Sequence, residues 1–112
     1  MTPILEGIYG NRAAAQVLLF IQAYGSGYAS RIATIFDTQQ TSIYRQLIRL
    51  EASGVLVSRT VGKTRVFEFN DRNPSVRNLR QSLARELDLL PDDQVKKYFR
   101  QRQRPRRTGK RL

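Results

Sequence analysis

Apolar residues recur at spacings of three and four through Ala14, Val17, Leu18 and Ile21, which predicts a helix over residues 11–24 with one buried face and Asn11 as its N-cap. Gly25-Ser26-Gly27 stops it, because glycine readily takes the positive φ of a C-terminal cap or turn. A shorter helix over 29–36 carries Ile32, Ala33 and Phe36 on one side and leaves through Asp37 and Thr38. A third helix, from Gln39 or Thr41 to Ser53, turns Ile43, Leu47 and Leu50 inward and ends at Gly54, another left-handed cap.

The period then changes. Val55 to Val61 and Thr64 to Phe69 are β-prone runs about Gly62-Lys63, which predicts a hairpin. Gly62 suits the first central position of a type II′ turn, which pairs Val61 with Thr64 and puts Leu56, Phe67 and Phe69 on one face to cap the helices. Asn73 and Pro74 read as the N-cap and first residue of a further helix with a nearly heptad stripe of Val76, Leu79, Leu83, Leu87 and Leu90. Pro91-Asp92-Asp93 opens another, with acids favourable to the helix dipole and a short stripe of Val95, Tyr98 and Phe99 that can dock on the domain. From Gln101 onward the only apolar residue is the last, so burial cannot offset the entropy of ordering and a disordered tail is predicted. The class is α+β: three helices and a β-hairpin, followed by a C-terminal helix. Residues 1–90 form the folded domain and 91–112 a basic extension.

A chain of 112 residues, 40% hydrophobic, buries one modest core. Its twenty Lys and Arg against nine Asp and Glu give a net charge of +11, a field that attracts polyanions, nucleic acid first among them. The charge is uneven, since residues 1–90 hold eleven basic and seven acidic side chains and residues 91–112 hold nine and two. A membrane is the rival polyanion, yet the longest apolar run, Val17 to Ile21, is far too short to span one, and Val95, Tyr98 and Phe99 bury little area on its surface. The first residues lack the basic and apolar regions of a secretory signal, so the expected location is cytoplasmic. Without Cys or His there are no disulfides, no thiolate or imidazole zinc ligands and no imidazole general base. Glu86 and Asp88 stand two residues apart, on different faces of their helix, and read as surface charges. No catalytic residue, metal or cofactor is expected.

What remains is a surface that can read a polymer. The outer face of the third helix presents Gln39, Gln40, Thr41, Ser42, Tyr44, Arg45 and Arg49. Gln pairs bidentately with adenine and Arg with guanine, Thr offers a methyl to thymine, and Ser and Tyr hydroxyls hold phosphates. The hairpin tip adds Lys63, with Arg59 and Arg65 on the flanking strands. Taken singly, a polar helix face or a charged tip is ordinary solvated surface. In this order they describe a groove reader followed by an arm.

The stretch from Ile32 to Leu56 resembles the helix, turn and recognition helix of the winged helix-turn-helix repressors of the ArsR and MarR kind. Its end, Leu50-Glu51-Ala52-Ser53-Gly54-Val55-Leu56, is similar to the Leu-Glu-x-x-Gly-Leu-Val that joins recognition helix to wing in those proteins. Ile8-Tyr9-Gly10-Asn11-Arg12 before the first helix looks like the ArsR-type opening, so the resemblance spans roughly residues 8–73. It implies a recognition helix in the major groove, with Thr41, Ser42, Tyr44 and Arg45 contacting bases and phosphates, and a wing around Lys63 on the adjacent backbone or minor groove. Two positions depart from the pattern, Asp37 where Gly is usual and Thr38 where Ile or Val is usual, so a slightly different turn geometry is expected. The metal-sensing Cys and His sites have no counterpart. The implied function is sequence-specific binding of double-stranded DNA by a prokaryotic transcription regulator, a repressor without metal sensing. The stripe from Val76 to Leu90 packs either on the first helix or in a two-fold seam of the kind ArsR-like proteins build from terminal helices, and a homodimer is the expectation. The alternative is an RNA- or ribosome-associated winged helix, with Tyr98 and Phe99 stacking on bases. A winged helix that binds only protein is the third reading.

Overall fold

The computed structural model describes residues 3–99. In chain order it comprises α1 (Pro3–Tyr9), α2 (Arg12–Tyr24), α3 (Ala29–Phe36), α4 (Gln40–Ala52), β1 (Leu56–Val61), β2 (Thr64–Phe69), α5 (Pro74–Leu89) and α6 (Asp92–Tyr98). Local chemistry sets the boundaries. The Asn11 side chain accepts a hydrogen bond from the Ala14 N–H at 2.8 Å, and Gly25, at φ 90°, closes α2 by donating to the Ile21 carbonyl. Asp37 adopts φ 52° and ψ 53°, and Thr38 N–H reaches back to the Ala33 carbonyl at 3.0 Å. The aspartate therefore makes the left-handed turn that glycine makes in the resembling proteins, as its short polar side chain permits.

Two features differ from the sequence-based expectation. Residues 3–9 form a helix that the apolar pattern did not indicate, with Leu5 buried and Ile4 and Ile8 exposed. And α2 is buried on every side, not on one face: all residues from Ala14 to Ile21 are buried, because α1, α3, α4 and α5 surround it. Its small N-terminal residues Ala14 and Ala15 allow that close approach.

The hairpin has the predicted register, Val61 opposite Thr64 and Leu56 opposite Phe69. Gly62 has φ 63° and Lys63 a negative φ, the signature of a type II′ turn. Leu56, Phe67 and Phe69 are buried on the inner face. A third piece of backbone completes the sheet, since Gly27 and Phe67 exchange hydrogen bonds at 2.9 and 2.8 Å. A Cβ at Gly27 would stand 2.9 Å from the Phe20 ring and 3.0 Å from Ile32. Gly27→Ala is thus expected to cost about 1–3 kcal/mol through overpacking at a site with no slack. A denaturant titration showing no loss would mean that Phe20 and Ile32 can yield.

The α5 stripe is satisfied within the chain. Val76, Leu83, Leu87 and Leu90 are buried and Leu79 half-buried, with α5 lying against α2, so these residues do not offer the two-fold seam considered above. Arg80 ties this layer together. It bonds Gln22 on α2 at 2.9 Å, pairs with both oxygens of Asp71, and lies 5.2 Å over the Phe69 ring. Tyr9, at the end of α1, is half-buried, and its phenol is held protonated above the ordinary 10.0 by burial and then by Glu86 on α5, against a lowering hydrogen bond with Ser82. Beyond Pro91, Phe99 is buried and Tyr98 rests 4.8 Å from the Phe36 ring, while the Tyr24 hydroxyl donates to the Tyr98 carbonyl at 3.0 Å. The start of the basic extension is thereby part of the core. The tail predicted from Gln101 onward lies outside the described residues. Within residues 3–99 no helix is long and apolar enough to cross a membrane, and no group of three acidic side chains converges on a common metal position.

Candidate nucleic-acid interface

The inward triad Ile43, Leu47 and Leu50 fixes the rotation of α4 and therefore what it shows to solvent. Thr41 and Arg45, one turn apart, occupy the middle of the exposed face, with Gln40 and Tyr44 on one flank and Ser42 and Arg49 on the other. Gln39 is the N-cap residue, its side chain making no capping bond. Gln39, Gln40, Thr41, Tyr44, Arg45 and Arg49 are exposed and Ser42 is half-buried. Arg49 donates to Gln46 at 2.8 Å. Arg45 has no hydrogen-bond or ion-pair partner among the described residues, so of the two arginines on this face it is the one left for a ligand.

The wing separates the three cations that composition groups together. Arg59 pairs across the strands with Val66, and Arg65 with Thr60, so the two arginines project from opposite faces of the hairpin. Arg65 shares the inner face with Phe67. Its guanidinium bonds Glu51 at the end of α4 and Ser58 on β1, Ser58 also donates to Glu51, and the group lies 5.3 Å from the Phe67 ring centre. This knot fixes the wing to α4. Arg59 is 60% exposed, with Glu68 at 3.9 Å, too far for a hydrogen bond. Lys63 stands exposed at the tip without a partner among the described residues.

Two clefts flank α4. One, of about 230 Å³, lies toward the wing and is lined by Tyr28 and Ser30 at the start of α3, Gln40 and Tyr44 on α4, and Lys63 and Arg65. The other, of about 370 Å³, lies toward the start of α2 and is lined by Asn11, Arg12, Gln16, Thr38, Ser42, Arg45 and Gln46. Neither cleft is lined by an acidic residue. The sequence pattern gave no notice of Arg12, Gln16, Tyr28, Ser30 or Thr38 as neighbours of α4. Gln16 alone left a trace, as the polar interruption of the apolar run from Ala13 to Ile21.

No protein-family profile matches the chain, and no curated protein does. Solved structures do. The YusO protein from Bacillus subtilis superposes with a TM-score of 0.53 at 20% identity, over 82% of this chain and 72% of that one. A MarR family transcriptional regulator from Silicibacter pomeroyi superposes with a TM-score of 0.50 at 21% identity, over 78% and 68%. At this identity the likeness concerns the fold: a winged helix with helices before and after the helix-turn-helix.

Proposed function

We propose that the protein is a sequence-specific double-stranded DNA-binding transcription regulator, with α4 as its reading helix and the wing as a backbone contact. One observation carries the reading: Arg45, without a partner among the described residues, stands beside Thr41 at the centre of an exposed helix face, with a cleft on either flank whose described lining is basic and holds no acid. A helix in the major groove has a phosphate strand on each side of it, which is the charge distribution those clefts match. Within this reading Gln39, Gln40, Thr41, Ser42, Tyr44, Arg45 and Arg49 face the groove, and Arg59 and Lys63 meet phosphates. Arg65 orients the wing through Glu51. The neighbour named as a MarR family transcriptional regulator supports the same function, and the ArsR-like opening at Ile8 to Arg12 belongs to the same proposal. Repression is the expected mode, without metal sensing and without a catalytic step.

We place the dimer at the exposed apolar residues of the helical end, Ile4 and Ile8 on α1 and Leu89 at the end of α5, which are 64–75% exposed. A dimer there sets two α4 helices against two half-sites. The RNA reading loses its stacking platform, because Phe99 is buried and Tyr98 packs on Phe36.

Arg45→Ala tests the proposal. Binding to the selected operator should weaken by about 1–3 kcal/mol relative to random duplex, since a bidentate base contact carries that much discrimination. Operators are first selected from random duplex pools, then measured by fluorescence anisotropy at fixed salt. Equal loss on both duplexes would reduce Arg45 to a phosphate contact. No loss on either, or tighter binding to structured RNA, would remove α4 from the role given to it.

A further inference from the structure

Gln16 is the one buried polar side chain among the described residues, only 7% exposed, and its amide has no hydrogen-bond partner there. Such a group is costly in a folded core unless something meets it, and an apolar residue of similar size would fit α2 at less cost. Gln16 is not sealed in, however. It lines the cleft of about 370 Å³ between the start of α2 and the side of α4, together with Arg12, Thr38, Ser42 and Arg45. Arg12 gives its Nε to Glu6 at 3.2 Å, which leaves its terminal nitrogens for other acceptors, and Arg45 is uncommitted. The lining thus offers two guanidinium groups, two hydroxyls and three side-chain amides, Gln16 among them, with no carboxylate.

We propose that this cleft is a phosphate site in which the Gln16 amide donates to an oxyanion that Arg12 and Arg45 neutralise. Charge-assisted bonds from guanidinium to phosphate are strong and geometrically specific, and the buried amide adds a donor in a place of reduced dielectric. The phosphate arrives either as part of a DNA strand beside α4, where Gln16 and Arg12 hold it and Arg45 stays on the base, or on a free small molecule. In the second case it takes Arg45 away from the groove and competes with operator binding. The phosphate chemistry itself does not rest on the DNA reading.

Inorganic phosphate is titrated into the full chain at constant ionic strength, with the Gln16 side-chain NH2 and the backbone amides of Ser42 and Gln46 followed by NMR. Saturable shifts are expected, with binding weakened at least tenfold in Gln16→Leu and in Arg45→Ala. Gln16→Leu should melt no lower than the parent, which separates a weakened ligand site from a weakened fold. In parallel, selected duplexes with single methylphosphonate linkages locate backbone positions whose neutralisation weakens binding. A penalty at one position that disappears in Gln16→Leu assigns the site to a DNA strand, and free phosphate binding without that coupling assigns it to a small molecule. If phosphate neither shifts the Gln16 amide nor shows coupling to it on DNA, the proposal is overturned. It is overturned equally by a Gln16→Leu variant that binds phosphate as the parent does. Operator discrimination by Arg45 would survive either result.

Discussion

Phe99→Ala should lower the free energy of unfolding by about 3–5 kcal/mol, the cost typical of removing a buried aromatic ring. Phe99 is 1% exposed, stands 6.0 Å from the Phe36 ring and 6.4 Å from the Tyr24 ring, and follows a helix that composition assigns to a basic extension. The segment is held as well by Val95, half-buried against the core, and by the Tyr24 hydroxyl bonded to the Tyr98 carbonyl. Removing the ring opens a cavity between α2 and α3, beneath the helix-turn-helix. Set against a typical domain stability of about 5–15 kcal/mol, the loss is large. Urea titration followed by far-UV circular dichroism measures it, with Asn78→Ala on the exposed side of α5 as a surface control expected to stay within about 0.5 kcal/mol. A loss below about 1 kcal/mol would mean that the segment from Asp92 to Phe99 does not dock in solution.

The helices and the wing were legible in the sequence where a boundary has a local chemical cause. Asn11 caps, Gly25 and Gly54 close helices at positive φ, and Gly62 sets the turn whose register places Leu56, Phe67 and Phe69 inward. The same register, followed two residues further, puts Arg65 on the face of Phe67 and Arg59 on the other, so the division of the wing cations was implicit in the alternation and only Glu51 was needed to complete it. What was illegible is tertiary. Nothing in Gly25-Ser26-Gly27 says that Gly27 meets Phe67 across forty residues, and an apolar stripe such as Val76 to Leu90 reads alike whether it covers α2 or a second copy. Helix α2 misleads for a related reason: a helix enclosed by four others is apolar all round, and the three-four spacing of its strongest residues looks like a single face. The cleft between α2 and α4 required Gln16 and Arg12 to be placed against Ser42 and Arg45, residues some thirty positions apart.

Deleting residues 101–112 should weaken DNA binding strongly while leaving sequence preference in place. These twelve residues hold six Lys and Arg and no Asp or Glu, and cations that track phosphates act through counterion release without reading bases. For every phosphate that the truncated chain no longer neutralises, the slope of log K against log salt should become shallower by about 0.9 on duplex DNA. Three such phosphates would by themselves change the fall in affinity between about 50 and about 200 mM salt by roughly 40-fold. Lys63→Ala at the wing tip should alter the slope by at most about one such unit, and the two changes should nearly add if they touch separate phosphates. The ratio of operator to random-duplex affinity is the control, since it depends on α4 and should hold in both variants, unlike in Arg45→Ala. Intact chain, truncated chain and Lys63→Ala are compared on both duplexes across one salt series. A slope unchanged by truncation would take the C-terminal cations off the DNA and assign them to an RNA or protein partner, and a collapse of the affinity ratio would show that they help to read sequence after all.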